Sequence, residues 1–561
     1  MSAERPPLTR TTLAAACFVI VAATVLSWLP RINGPIDTRW DGGAYLVLGT
    51  SLATGHGYRL QSEPGDFPSS VHAPVVPAIV AAHAWLLGST DRVVIGRALR
   101  VTTMAFSVAY GLAIFFLLKT SIPWPWAVVA AVTGVSQPQF AYFTDQLYAE
   151  TFFGLFTLLF FILQRYRASR TCFVLAGLLA ALAYGARTVG IALLVAWVVD
   201  TVLRRDFRRL PLVIAMAALP VVAWNGWIKM VESSPAYQHP AYAYQTAPYV
   251  YFNVSYVRNI LTFKDPFDPR QGPLTRAAFI DRVATNVREL PTAIGEAVSA
   301  WEAPAALSTS LGILVLAGLA MQLARRQWLI VLYVALSLAA MVVTPFRAQF
   351  VRYVLPLYPF FVLAMFQAIA QAARALRNRW PVLPAALGPA ATALVVGSIA
   401  LSEAFDVREL YAYHDVAYEQ SSTSGKDRLY YYAPLGTDFD EALVWLRGDG
   451  HAPGVVAATD PQRAFLLTGR KAVLPPFESD GARAQVLIDS VPVRYLIAET
   501  KPAELGLGKY HPYTAAMVRA NPRCWTLLWT SAHQHVVIYE RSSVAECGGP
   551  SAAHSFALTA R

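Results

Sequence analysis

The segment Thr12–Leu29, with the sequence TLAAACFVIVAATVLSWL, decides the fold class of this chain. It carries no charged side chain, and a helix of this length is sufficient to cross the roughly 30 Å hydrocarbon core of a bilayer. The apolar run is too long for a signal peptide and lacks a clear cleavage site. The sequence therefore predicts a retained membrane anchor.

The composition extends this prediction to most of the chain. Of the 561 residues, 55% are hydrophobic and 14% are charged, and the mean hydropathy is +0.41. Soluble domains typically carry about 25% charged residues. Hydropathy predicts about eleven transmembrane helices, near 12–30, 97–118, 124–143, 147–163, 171–187, 189–203, 210–228, 304–323, 328–345, 349–371 and 382–404.

The distribution of the basic residues behind the net charge of +11 indicates how these helices are oriented in the membrane. Arginines cluster in the short loops between the apolar runs: Arg165, Arg167 and Arg170; Arg204, Arg205, Arg208 and Arg209; Arg325 and Arg326; Arg374, Arg377 and Arg379. Such clusters mark cytoplasmic loops. The N-terminus is then predicted inside, and the segments 31–96, 229–303 and 405–561 outside. This pattern accounts for the basic excess without a nucleic-acid partner.

The segments predicted outside have their own structure. Residues 38–54 are predicted to form a helix along the membrane, with Tyr45, Leu48 and Leu52 on one face. The run 75–88 is short for a span and is interpreted as an interfacial or re-entrant helix. We expect a catalytic membrane domain over 1–404, with these outer loops included.

The C-terminal segment 405–561 alternates between strand and helix patterns. Strands are predicted near 454–459, 471–474 and 493–499, with helices at 437–448, 461–468 and 480–490 between them. Two further strands are predicted near 524–530 and 535–541. This alternation predicts a small extracytoplasmic α/β domain. Cys524 and Cys547 lie in it, and pairing between them stays open.

The most informative polar motif is Asp37-Thr-Arg-Trp-Asp41, directly after the first apolar run. Two carboxylates four residues apart at a membrane surface are costly unless they have a role. In one interpretation Asp37 caps the following helix and Asp41 pairs with Arg39 or with interfacial water. In the other, Asp41 is a general base that accepts a proton from an acceptor hydroxyl, and Asp37 is an auxiliary acid.

Three further polar side chains lie in segments predicted outside. His72, in His72-Ala-Pro74, is either a surface histidine or a donor to a phosphate. Asp145 and Glu150 flank the outer end of a span, where a carboxylate requires water or a partner. Asp145 is interpreted as a snorkelling interface residue or as an acceptor-side group, and Glu150 lies one turn deeper.

Arg187, Arg347 and Arg352 lie at the outer ends of spans, against the positive-inside trend. Guanidinium groups match phosphate oxygens and remain charged when partly buried, so a clamp for a lipid-linked phosphate is predicted. The alternative is ion pairing with Glu150 or Asp145. Tyr244 and Tyr249, in a tyrosine-rich outer loop, form either an aromatic belt or a lid that stacks on a sugar. No metal-ligand spacing, phosphate-binding glycine loop or nucleophile elbow is present in the sequence.

Several of these motifs together resemble the GT-C superfamily of membrane glycosyltransferases. They are Asp41-Gly-Gly-Ala-Tyr45, Leu52-Ala-Thr-Gly-His-Gly-Tyr58, His72 to Pro77, Glu150, Ala186-Arg-Thr-Val-Gly190 and Arg352-Tyr-Val-Leu-Pro-Leu-Tyr-Pro359. The branch indicated is that of bacterial relatives of the protein O-mannosyltransferases and the lipid A aminoarabinose transferase. The resemblance covers residues 10–404 in order and topology, and loosely the C-terminal segment.

The resemblance implies an inverting glycosyltransferase of the bacterial inner membrane that uses a polyprenyl-phosphate-linked sugar. Asp41 matches the catalytic aspartate, and the acceptor is a glycolipid, a polysaccharide or a protein. Gly42 stands where the protein mannosyltransferases have an acidic residue, which argues against a protein acceptor. Members differ in their metal requirement, so a divalent metal is possible but not indicated.

A transporter or flippase of lipid-linked sugar is the alternative function. Transporters usually carry inverted repeats and place their polar groups near the membrane midplane. In this sequence the polar groups lie at the outer ends of the spans, which favours the enzyme.

Overall fold

A computed structural model describes residues 8–32, 34–299, 303–380, 388–401, 434–500 and 510–543, and the single positions 382, 384, 386, 404, 405, 408 and 547. The chain divides into two compact units. We call Met1–Arg59, Ser69–Ser234 and Leu274–Tyr431 the helical unit. We call Leu60–Pro68, Pro235–Pro273 and Tyr432–Arg561 the sheet unit.

The helical unit is built from apolar helices. In chain order they are α1 (Arg10–Trp28), α2 (Asp41–Ala53), α3 (Val75–Leu87), α4 (Arg92–Leu118), α5 (Trp124–Ser136), α6 (Pro138–Asp145), α7 (Glu150–Gln164), α8 (Arg170–Ala186), α9 (Ile191–Leu203) and α10 (Leu210–Glu232). Two short helices of the sheet unit follow, α11 (Pro235–Gln238) and α12 (Tyr256–Thr262). The helical unit continues with α13 (Arg276–Glu296), α14 (Ala305–Ala324), α15 (Trp328–Val342), α16 (Phe350–Val354), α17 (Tyr358–Arg379) and α18 (Gly388–Leu401).

Helix length and composition confirm a membrane-type helical architecture. Within the described residues, five segments are long and apolar enough to cross a bilayer: Arg10–Arg31, Arg92–Leu118, Leu210–Glu232, Ala305–Ala324 and Arg347–Arg379. Other apolar helices are shorter, with 10–17 residues. Each predicted span contains a helix of one of these two classes, although part of the last, 382–404, lies outside the described residues. The number of crossings and the orientation of the termini stay predictions.

Several predicted spans are interrupted where the chain carries polar side chains. Residues 124–143 form two helices, because α5 ends at Ser136 and Pro138 starts α6. Proline in the interior of a helix removes a backbone hydrogen bond. A 3₁₀ turn, Leu355–Leu357, likewise separates α16 from α17 and contains Pro356. These interruptions place helix ends inside the unit, where side chains from different segments meet.

The predicted helices outside the spans are also present. The interfacial helix predicted over 38–54 runs from Asp41 to Ala53, and the one predicted over 75–88 runs from Val75 to Leu87. The two helices pack closely at Gly49, where a Cβ atom would lie 2.4 Å from the Cβ of Val80. Glycine is therefore required at this crossing.

The sheet unit contains a two-stranded ribbon and a five-stranded mixed sheet. The ribbon is β1 (Arg59–Leu60) with β2 (Phe67–Pro68). The larger sheet has the order β4-β3-β5-β7-β6. Its strands are β3 (Val455–Ala457), β4 (Ala472–Val473), β5 (Val493–Glu499), β6 (Trp525–Thr530) and β7 (Val536–Arg541). Strand β3 pairs in parallel with β4 and β5, whereas β7 pairs antiparallel with β5 and β6.

Helices pack on this sheet, as the alternating pattern predicts. They are α19 (Pro434–Arg447), α20 (Pro461–Thr468), α21 (Gly481–Asp489) and α22 (His511–Ala520). A core of apolar side chains from α19, α20 and the strands includes Leu443, Val456 and Ile538, all fully buried. Cys524 and Cys547 form a disulfide, which resolves the question left open by the sequence. Helix α22 is an element that the sequence analysis did not predict.

Two segments that the sequence predicts as outer loops belong to the sheet unit, whereas the sequence prediction assigned them to the membrane domain over 1–404. The backbone N–H of Ala472 in β4 donates to the carbonyl of Ser62 at 2.7 Å, and Lys471 pairs with Asp66 at 2.8 Å. From the second loop, the Tyr244 hydroxyl donates to the carbonyl of Leu474 at 2.9 Å. Backbone and side-chain groups of both segments thus form contacts at and next to the edge strand β4. Hydropathy does not reveal such contacts.

Candidate active site

Four charged side chains of the helical unit form a continuous chain of ion pairs. The Arg352 guanidinium donates through Nη2 to Oδ2 of Asp41 at 2.5 Å, and through Nε to Oε1 of Glu150. The same oxygen of Glu150 accepts from Nη1 of Arg187 at 2.6 Å. Two acids and two arginines from four distant parts of the sequence therefore meet at one place.

The position of Asp41 is fixed by backbone pairing between the segment that follows α1 and the residues before α7. The Asp37 N–H donates to the Asp145 carbonyl at 3.1 Å, and the Leu147 N–H donates to the Asp37 carbonyl at 3.0 Å. Gly42 lies against this bridge, because a Cβ there would stand 3.0 Å from the Asp37 oxygen. An acidic residue at position 42 would not fit without a shift of the bridge.

Each arginine is placed by a break between helices. Arg187 ends α8 in an extended conformation, and the 3₁₀ turn Thr188–Gly190 follows it. Arg352 lies in the five-residue helix α16, with its guanidinium 4.0 Å from the centre of the Tyr148 ring. Arg187 similarly faces the ring of Tyr353 at 5.3 Å. Stacking on aromatic faces orients guanidinium groups while their edges remain available for hydrogen bonds.

The two guanidiniums retain N–H donors beyond the ion pairs. Arg352 donates twice to carboxylates and Arg187 once, among the described residues, out of five N–H groups on each side chain. Their side chains are 12% and 18% exposed, so neither arginine is completely enclosed by the protein. The arrangement can bind an anion with tetrahedral oxygens, such as a phosphate.

Asp41 is held in its ionised form. Burial raises the pKa of this carboxyl, but the charge and hydrogen bond of Arg352 and the charge of Arg187 oppose that effect, and the pKa of Asp41 lies below the ordinary value. Asp41 is also the first residue of α2, where the helix dipole favours a negative charge. An ionised carboxylate is the form that a general base requires.

His72 lies beside Asp41 and is buried. Its ring packs edge-on against Tyr45, with 5.3 Å between ring centres, and its Nδ1 atom has no hydrogen-bond partner among the described residues. Burial lowers the pKa of His72, although the charge of Asp41 opposes this shift. The imidazole is therefore neutral near pH 7 and can exchange a proton or a hydrogen bond with a ligand.

Asp37 and Asp145 have other partners. Asp37 accepts the backbone N–H of Arg39 at 2.9 Å and pairs with the Arg39 guanidinium at 2.5 Å, so it does not cap α2. Asp145 pairs with Arg100 at 2.6 Å, and both side chains are almost completely buried. The interpretation of Asp145 as a snorkelling interface residue does not fit this burial. The two aspartates hold the backbone that carries Asp41 and Glu150.

Three other predicted residues lie outside the ion-pair chain. Arg347 pairs with Glu289 at 3.1 Å, and both side chains are about half exposed. Tyr244 and Tyr249 are buried within the sheet unit, where the Tyr249 ring packs on Phe477. Neither tyrosine presents an open aromatic face, so the lid and the sugar-stacking interpretation find no support in these contacts.

The sequence analysis did not assign site roles to Tyr45, Tyr148 and Tyr353, which surround the ion pairs. Each is close in sequence to a charged member of the chain: Tyr45 follows Asp41 by one helical turn, and Tyr353 follows Arg352 directly. Closeness in sequence to a charged site residue was therefore the feature by which these tyrosines could have been predicted. No group of three or more histidine, cysteine or acidic side chains arranged to hold a metal ion occurs in the described part of the chain.

The comparisons with known proteins agree on the fold. No protein-family model and no curated protein sequence matches the chain. Among solved structures, ArnT from Cupriavidus metallidurans bound to undecaprenyl phosphate aligns with a TM-score of 0.54 at 13% identity, over 97% of this chain and 100% of that one. The Archaeoglobus fulgidus oligosaccharyltransferase tethered to an acceptor peptide aligns with a TM-score of 0.51 at 12% identity, over 94% and 74%. The chain therefore shares its overall fold with these two structures, in agreement with the fold that the sequence resemblance implied.

Proposed function

We propose that this chain with the GT-C fold is an inverting glycosyltransferase that takes its sugar from a polyprenyl-phosphate carrier. The ion-pair chain Asp41–Arg352–Glu150–Arg187 is the observation that carries the proposal. It combines an ionised carboxylate with a pair of partly exposed guanidiniums that have further N–H donors. A base for the acceptor and a binding site for the leaving phosphate are the two elements that such a transfer needs.

In the proposed reaction, Asp41 accepts the proton of an acceptor hydroxyl as its oxygen attacks C1 of the sugar. The bond between C1 and the phosphate oxygen breaks, and the electron pair leaves with the polyprenyl phosphate. Attack from the face opposite the leaving group inverts the configuration at C1. General base catalysis of this kind contributes roughly 10²- to 10⁴-fold to the rate.

Arg352 and Arg187 bind the phosphate, on which negative charge develops as the bond to C1 breaks. Donors that are already oriented towards this charge stabilise the transition state more than they stabilise the bound donor. Glu150 holds both guanidiniums through one oxygen, and His72 offers a neutral imidazole beside the base. The undecaprenyl phosphate in the ArnT structure is consistent with a polyprenyl phosphate as the carrier.

The cellular setting in this proposal is the outer face of the bacterial inner membrane. The arginine clusters support a cytoplasmic N-terminus and an extracytoplasmic sheet unit. The acceptor is a glycolipid or a polysaccharide. The close approach of Gly42 to the Asp37 carbonyl supports this choice, since an acidic side chain at this position would require the carbonyl to shift.

The proposal is tested with purified protein in nanodiscs that contain a polyprenyl-phosphate sugar and an acceptor glycolipid. We expect Asp41→Asn to lower the transfer rate by roughly 10²- to 10⁴-fold, because asparagine cannot accept the proton. Asp206→Asn serves as the control, since Asp206 is a partly exposed acid that pairs with Arg209 at 3.3 Å and is not a member of the ion-pair chain. Near wild-type turnover in a folded Asp41→Asn variant would refute the base assignment.

A further inference from the structure

Arg352 contacts the two groups that the proposed reaction keeps apart. Its Nη2 atom donates a hydrogen bond to Oδ2 of Asp41, the proposed base. Its other N–H groups form part of the proposed phosphate site. A base whose lone pair is engaged by a guanidinium is a poor proton acceptor, because protonation would break a charge-assisted hydrogen bond. The pairing with Arg352 therefore holds the base in an inactive form.

The two carboxylates do not hold Arg352 equally. Glu150 is 2% exposed, and it accepts from both arginines through one oxygen. Asp41 is 28% exposed and has Arg352 as its only side-chain hydrogen-bond partner among the described residues. A solvent-accessible ion pair is weaker than a buried one of similar geometry. The contact with Asp41 is thus the one that a competing anion displaces first.

The two ends of the guanidinium have different contacts. Nε is held by the buried Glu150, and the guanidinium carbon lies 4.0 Å from the centre of the Tyr148 ring, whereas Nη2 reaches towards Asp41. Loss of the Asp41 contact at the Nη2 end therefore does not require loss of the Glu150 contact. The phosphate offers two or more oxygens to this end and binds it in the bidentate manner that guanidinium favours.

We propose that Arg352 masks Asp41 until the phosphate of the lipid-linked donor draws the guanidinium away, so that donor binding activates the base. This inference rests on the proposed function and adds to it the order in which the substrates act. The donor binds first, and the acceptor hydroxyl is deprotonated only when a donor is in place. The same pairing suppresses proton abstraction from bound water or acceptor in the empty site.

Carboxyl labelling with dicyclohexylcarbodiimide tests the mask without any sugar transfer. The reagent modifies protonated carboxyls in apolar surroundings, and the ion pair keeps Asp41 ionised. Release of Arg352 and the approach of a phosphate both raise the pKa of Asp41, because favourable charge is removed and negative charge is added. We expect undecaprenyl phosphate to increase labelling of Asp41 at least several-fold at pH 7, as measured by peptide mass spectrometry in nanodiscs.

Two variants sharpen the test. In the Arg352→Gln variant, labelling of Asp41 without lipid should already reach the level that wild-type protein shows with undecaprenyl phosphate. Addition of the lipid should then cause no further increase. Arg352→Lys keeps the positive charge but lacks the paired N–H donors of a guanidinium, so labelling of Asp41 without lipid should be intermediate. Asp145, buried against Arg100, serves as the folding control and should stay unlabelled in every sample. Labelling of Asp41 that is unchanged or reduced by the lipid in folded wild-type protein would overturn the proposal.

The outcome separates this inference from the proposed function. Slow transfer by Asp41→Asn together with lipid-insensitive labelling would refute the mask and leave the transferase assignment in place. Lipid-stimulated labelling together with full turnover by Asp41→Asn would support the displacement of Arg352 and refute the role of Asp41 as base.

Discussion

At the scale of single residues, Glu150 is the side chain on which the arrangement of the site depends. Its Oε1 accepts from Arg187 and Arg352 together, and the carboxylate is nearly inaccessible to solvent. Without it, two guanidiniums would face each other in a partly buried place and repel. Glu150 is therefore a positioning residue, because it acts on the phosphate site through the two arginines.

We expect Glu150→Gln to raise the KM for the lipid-linked donor by about 10- to 100-fold, since hydrogen bonds to charged groups are worth about 1.5–3 kcal/mol each. The KM for the acceptor should change little, because the substitution acts through the arginines. Steady-state kinetics with each substrate varied in turn measure the two constants.

Asp145→Asn is the matched control for this prediction. It removes a buried acid a few positions away that pairs with Arg100. Breaking that pair should lower the folding yield and thermal stability without selective loss of donor affinity. Equal effects of Glu150→Gln on both KM values would contradict the positioning role.

At the scale of elements, the crossing of α2 and α3 places Asp41 relative to His72. The helices approach at Gly49, where an added Cβ would lie 2.4 Å from Val80 and 2.7 Å from the Pro77 carbonyl. Because Asp41 begins α2 and His72 precedes α3, any separation of the helices moves the base away from the imidazole.

We therefore expect Gly49→Ala to destabilise the protein by about 1–3 kcal/mol, the usual cost of forcing atoms into a packed contact. The transfer rate should fall as well, because the base is displaced. Thermal unfolding and transfer assays on the same preparation measure both effects.

Gly226→Ala, in α10, supplies the comparison for Gly49→Ala. A Cβ at position 226 meets no atom within 4 Å, so the substitution should leave stability and rate nearly unchanged. If Gly49→Ala behaved like Gly226→Ala, the proposed importance of the crossing would be wrong.

Particular elements show how far sequence reasoning extends. The bounds of α2 and α3 follow from hydropathy and lie within a few residues of the predicted ones. Asp145 and Glu150 have the same predicted setting but different partners, Arg100 and Arg187, because α6 ends at one and α7 starts at the other. Partner choice depends on the direction in which each helix end points, which spacing alone does not encode.

At the scale of the whole molecule, the sheet unit contains a buried carboxylate that joins the segments Leu60–Pro68 and Pro235–Pro273. Glu63 is fully buried and accepts from Gln245 at 3.1 Å, Asn253 at 2.9 Å and Tyr242 at 3.3 Å. Burial raises the pKa of Glu63 to about 7, and these hydrogen bonds only partly oppose the shift. Residues far apart in the chain are thereby joined through one acid.

This raised pKa makes the loop contact sensitive to pH. The folded form holds the proton more tightly than the unfolded form does, so stability is greatest below the ordinary pKa of glutamate. It then falls as the pH rises towards 7, by up to roughly 3 kcal/mol. Hydrogen exchange of the segment 235–253, corrected for intrinsic rates, should therefore show less protection at pH 8 than at pH 5.

Glu63→Gln should remove this dependence, because glutamine remains neutral at both pH values. Asp66→Asn provides the comparison, since Asp66 is about half exposed and pairs with Lys471 at the surface. A pH dependence that persists in Glu63→Gln would assign the effect to another group.

The sequence by itself determined that this is a helical membrane-type protein with a C-terminal α/β unit. It could do so because the length of an apolar run and the period of a strand or helix are properties of neighbouring residues, matched to the thickness of a bilayer or the face of a sheet. Only the tertiary structure decided which charges meet. Asp41 and Arg352 are 311 positions apart, and their contact depends on backbone bridges and glycine crossings between distant segments. The pairing of base and guanidinium is therefore a property of the fold.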